Sequence, residues 1–80
     1  MNPDTTLRGI VLFAHGSRDP RWPEPIEAIA ARMRALDAQA RVVCAYLELT
    51  APDLPTAVQT LLADGAQSIR IWPMFLGAGR

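Results

Sequence analysis

The chain has 80 residues, 50% hydrophobic and 20% charged, so it is a small folded domain and not a disordered tail or polar linker. Eight arginines, with no lysine, balance eight acidic residues, and zero net charge gives no electrostatic reason to expect nucleic acid or a membrane surface. The single Cys44 excludes an internal disulfide framework and a cysteine-based zinc site, and it fits a reducing cytosol.

The first element is the continuous apolar run Gly9 to Ala14 (GIVLFA), which predicts a strand buried on both faces. It ends in the turn-rich segment His15-Gly16-Ser17-Arg18-Asp19-Pro20. A helix follows, with Pro23 and Pro25 in a first turn whose N–H groups have no partner in any case. Ile26, Ile29, Ala30, Met33 and Leu36 recur at helical spacing and predict one buried stripe. Arg41 to Leu49 (RVVCAYLEL) reads as the second strand, rich in β-branched and aromatic residues. Asp53 is placed to cap a second helix with the stripe Leu54, Val58, Leu61 and Leu62, stopped by Gly65. Ser68 to Met74 (SIRIWPM) reads as a third strand with one face less covered and with Pro73 at an edge, a bulge or the strand end.

The order is therefore βαβαβ. Strands joined through helices of this length run parallel with right-handed crossovers. The most apolar strand, the first, belongs in the middle, giving the order 2-1-3 and one helix on each face. The crossovers diverge beside strand 1, and open α/β sheets bind ligands outside the carboxyl ends of their strands at such a point. No run approaches the roughly 18 apolar residues of a membrane span. The N-terminal MNPDTTLRG has no basic region followed by an apolar run, so a cytoplasmic protein is expected.

Three groups should meet at that edge. His15, the only histidine, follows strand 1 and can bind a divalent metal or accept a proton; alternatively it is a loop histidine held by a hydrogen bond. Glu48 breaks an apolar strand and needs solvent, a cation or a donor. Leu76 to Gly79 follow strand 3, and Gly77-Ala78-Gly79 either lets backbone approach a ligand or is a plain loop. Arg18, Arg21 and Arg80 lie near the same edge and suit carboxylate recognition, or are solvated surface charge. Ser17 bonds loop backbone on this reading, because the chain has no G-x-S-x-G elbow and no second histidine as base. Trp22 and Trp72 read as packing residues, and Cys44 as a small buried hydrophobe. No GxGxxG or Walker loop occurs, so no nucleotide is expected.

Taken together, LFAHGSRDPRW, AYLEL, APDLPTAV and IWPMFLGAG resemble the small sirohydrochlorin chelatases, the cobalt-inserting type of cobalamin biosynthesis. The similarity runs from about Arg8 to Arg80. It implies a chelatase-like three-layer α/β fold with a parallel sheet in the order 2-1-3-4. It implies a lyase that inserts Co2+ into sirohydrochlorin without ATP, with Fe2+ and Ni2+ as alternative metals, and a homodimer. By the same resemblance, His15 is metal ligand and proton acceptor, Glu48 contacts substrate or metal, and Leu76, Gly77, Ala78, Gly79 and Arg80 line the tetrapyrrole site.

In one respect the chain departs from the pattern. The family places a second histidine directly after the glycine loop, then a helix, a fourth strand and another helix. The sequence stops at Arg80, about where that histidine would stand, so a fragment or truncated reading frame is expected, with 1–80 as one incomplete domain. The alternatives are an iron-inserting sibling of siroheme synthesis, a non-catalytic metal-binding or assembly module, and a structural βαβαβ fragment.

Overall fold

Strand β1 (Arg8–Ala14) is flanked by β2 (Ala40–Tyr46) and β3 (Ser68–Pro73), both parallel to it, in the order β2-β1-β3. The computed structural model describes residues 7–19, 21 and 23–74. Register is in step on both sides: Val11 stands opposite Val43 and Ile71, and Ala14 opposite Tyr46. The ladder continues past the strands, with Met74 N–H donating to Phe13 O at 2.6 Å and Leu47 N–H to Ala14 O at 2.8 Å.

Helices α1 (Glu24–Leu36) and α2 (Leu54–Ala63) cover opposite faces of the sheet. On one face Leu12, Ala14, Val42, Cys44 and Tyr46 meet Ile26 and Ala30 of α1. On the other, Val11 and Ala45 meet Ala57 and Leu61 of α2. Alternate residues of β1 feed alternate layers, which is why the whole run is apolar. The first crossover runs from β1 to β2 and the second returns from β2 past β1 to β3; with the same right hand and opposite directions, they put their helices on opposite faces.

Local chemistry sets the helix ends. Pro23 occupies the N-cap of α1 without a side-chain cap, and Glu24 and Glu27 in the first turn complement the helix dipole. Asp53 caps α2, its Oδ1 accepting from Thr56 N–H at 3.0 Å. Hydrogen bonding from the Thr56 side chain, and then from its backbone N–H, holds the Asp53 carboxyl below its ordinary value. At the other end Gly65 N–H bonds Leu62 O and Ala66 N–H bonds Leu61 O, each at 3.0 Å, with Gly65 at φ +94°. This is a Schellman motif, which needs a residue at ease in the left-handed region.

Four expectations change. Ile29 and Leu36 are 41% and 74% exposed, because they stand about 60–80° round α1 from the Ile26, Ala30 and Met33 centre of its stripe. Leu62 is exposed and Ala57 buried in its place, since Leu62 is turned about 100° from Leu61. Strand β2 stops at Tyr46, three residues earlier than Leu49, whose φ of +67° no strand accommodates. Strand β3 stops at Pro73 with only Ile69 half-buried, so both of its faces are open, and Trp72 is a 43% exposed surface residue. Trp22 lies outside the described residues.

Candidate functional site

The site is built from two loops that leave neighbouring strands and bind each other. Glu48 N–H donates to His15 O at 3.0 Å, extending the β1–β2 ladder beyond both strands. Gly16 adopts φ +101°, and a Cβ there would lie 1.8 Å from Glu48 O. Only glycine lets the two backbones come this close. The Thr50 hydroxyl accepts from Ser17 N–H at 3.1 Å and donates to Ser17 O at 2.9 Å. Thr50 N–H in turn donates to Glu48 O at 2.8 Å across Leu49, a three-residue turn with positive φ at its centre. Such a backbone costs a leucine about 1 kcal/mol or more.

Beyond Ser17 the loop closes on itself. Ser17 Oγ accepts from Asp19 N–H at 3.1 Å, so Ser17 bonds loop backbone as expected. Asp19 Oδ1 accepts from Arg21 N–H at 2.9 Å, with the Arg21 guanidinium 3.7 Å away. Chain direction is thus set before α1 begins, and the first turn of α1 swings beside His15.

A cleft of ≈ 570 Å³ opens there, lined by His15, Asp19, Arg21, Glu24, Pro25, Ile26 and Met74. It is large enough for a small organic ligand. His15 is exposed at its rim. Ile26 and Met74 supply apolar wall, while Asp19 and Glu24 oppose Arg21 in charge. Glu48 shares the edge through its backbone; its side chain is exposed and is not among the described cleft-lining residues. Arg18 is exposed outside that lining. Leu76, Gly77, Ala78, Gly79 and Arg80 lie outside the described residues. Among the described residues no three of the His, Cys, Asp and Glu side chains converge as a ligand set for a metal ion. Glu24 and Met74 were not marked by sequence; a carboxylate in the first turn of the helix after the loop was the available signal for Glu24.

Beneath the cleft, Tyr46 is 1% exposed and its hydroxyl donates to Glu27 Oε2 at 3.3 Å, pinning α1 to the end of β2. Burial, and then the Glu27 carboxylate, push the Cys44 thiol up to about 11. A thiol so placed stays protonated and acts as packing, in line with the reading of Cys44.

A parallel sheet with one helix on each face defines an open α/β protein, a class whose ligands bind outside the carboxyl ends of the strands, where this cleft lies. Residues 9–80 match the CbiX family, and the chain belongs to it. A sirohydrochlorin cobaltochelatase of Methanothermobacter thermautotrophicus is 35% identical over 71 residues, covering 89% of this chain and 49% of the relative. The protein of the same name from Methanococcus aeolicus is 30% identical over 73 residues, covering 91% of this chain and 51% of the relative. The chain therefore spans about half the length of the curated relatives it matches. The crystal structure of a Marinobacter aquaeolei CbiX protein of cobalamin (vitamin B12) biosynthesis superposes with a TM-score of 0.70 at 38% identity, over 90% of this chain and 57% of that one. The α/β class and the order 2-1-3 are as the sequence predicts.

Proposed function

We propose that the chain supplies the His15 side of a metal-inserting site that places Co2+ in sirohydrochlorin, without ATP, in cobalamin biosynthesis. The observation that carries this reading is His15 on the rim of a ligand-sized cleft at the divergence of the two crossovers. The names of the relatives support the metal and the tetrapyrrole as its substrates.

Insertion exchanges two pyrrole N–H protons for one divalent ion, so the site must hold the ion, strip its water and take up protons. Neutral His15 can ligate the ion on one face of the ring and, once the ion has passed into the ring and freed that nitrogen's lone pair, accept one of the two pyrrole protons. Glu48, on the adjoining loop, attracts the ion or takes the second proton. Arg21 pairs with a substrate carboxylate, and Leu76, Gly77, Ala78, Gly79 and Arg80 lie along the macrocycle. Imidazole and carboxylate also accept Fe2+ and Ni2+, so affinity by itself does not choose the metal. A cytoplasmic homodimer belongs to the same proposal.

The test is the change in sirohydrochlorin absorption on adding Co2+, Fe2+ or Ni2+, with the chain, its His15→Ala variant and no protein. We expect insertion above the uncatalysed rate, fastest with Co2+, and a loss of about a hundredfold or more in the variant. Equal rates for chain and variant would remove His15 from the mechanism. Tight Co2+ binding without turnover would mark a metal-binding module instead.

A further inference from the structure

We propose that Thr50 is a positioning residue for His15, acting through the Ser17 backbone. The inference rests on the metal-inserting reading for its kinetic consequence, though not for its structural one.

His15 follows the end of β1 and is exposed, so the course of the backbone beside it decides where its imidazole is presented. Two attachments restrict the backbone on either side of Gly16. On the near side, His15 O accepts from Glu48 N–H. On the far side, the Thr50 hydroxyl closes a two-bond clasp on the N–H and the C=O of Ser17. A hydroxyl is needed because it alone donates and accepts at one atom. The clasp is itself held, since Thr50 N–H bonds Glu48 O, the same oxygen that occupies the space of the missing Gly16 Cβ. The positive φ of Leu49 is what turns Thr50 back toward Ser17. Backbone held in a sparsely populated conformation commonly marks a functional constraint. Here it serves to deliver one hydroxyl to the residue two places after His15. Thr50 does not line the cleft, so it works at one remove.

His15 is the only histidine, so its imidazole ring protons give isolated NMR signals. Thr50→Val keeps the shape and removes the hydroxyl; Thr50→Ser keeps the hydroxyl. We expect Thr50→Val to move or broaden the His15 signals and to lower kcat for metal insertion by about tenfold to a hundredfold, with KM for the tetrapyrrole little changed. Thr50→Ser should restore both. In the unaltered chain the Ser17 amide should exchange with solvent at least about tenfold more slowly than an unprotected amide. Unmoved His15 signals in the valine variant, failure of serine to restore them, or an unprotected Ser17 amide would each overturn the proposal; the last also decides it if the valine variant does not fold. If the unaltered chain inserts no metal while the His15 signals still respond to Thr50→Val, the chelatase reading fails and the positioning role stands.

Discussion

Gly16 is the residue on which the two site loops depend. Any side chain there meets Glu48 O at 1.8 Å, and its φ of +101° is strained for every residue except glycine. Gly16→Ala should therefore destabilise the fold by on the order of 3 kcal/mol and weaken ligand binding at the cleft. Urea unfolding followed by circular dichroism measures the first effect. A loss under 1 kcal/mol would show that the loops can part at little cost. Sequence marked Gly16 only as a turn residue beside His15. Its partner is a main-chain oxygen 32 positions on, and nothing in the local pattern announces that contact. Thr50 was invisible for the same reason, since it sits in the mixed connection between β2 and α2 (LELTAPD), where a threonine is unremarkable.

At the scale of elements, α2 is the better specified helix. Its N-cap and its Schellman end were both legible, because caps are short-range chemistry. Asp53 gives this helix a pH signature. Its folded-state carboxyl lies below its ordinary value, so the stabilisation it contributes is present above that value and is lost as pH falls through the lower folded one. Asp53→Ala should lower the unfolding midpoint at pH 7, and the gap from the unaltered chain should close in strong acid. Thermal melts at several pH values check this; a gap that persists undiminished at low pH would assign the effect to something other than the ionised cap. Helix α1 lacks a side-chain cap and leans instead on tertiary contacts, among them Tyr46 with Glu27. Helical spacing placed Ile29 and Leu36 in its buried stripe. The sheet beneath is only wide enough to cover Ile26 and Ala30 fully, with Met33 partly covered.

At the scale of the whole molecule, β3 forms one edge of the sheet. It pairs with β1 on one side, and among the described residues nothing pairs with its other edge. Ile71 and Trp72 are both more than two-fifths exposed beside it. An open, apolar edge strand favours association. The double substitution Ile71→Lys, Trp72→Lys should reduce concentration-dependent association in sedimentation velocity and leave the far-ultraviolet circular dichroism unchanged. Association that is identical in both proteins would place the contact elsewhere. No helix among the described residues is long and apolar enough to cross a membrane.

The sequence by itself determined the order of elements, the parallel sheet with β1 at its centre, the caps of α2 and the family. These follow from periodicity, capping chemistry and crossover handedness, all of which act over a few residues or are forced by chain direction. Tertiary structure alone decided that the cleft wall beside His15 comes from Asp19, Glu24, Ile26 and Met74, that Glu48 meets His15 through its backbone, and that Thr50 clasps Ser17. Those relations join residues distant in the chain through packing angles and single hydrogen bonds, and an amino-acid pattern carries no record of either.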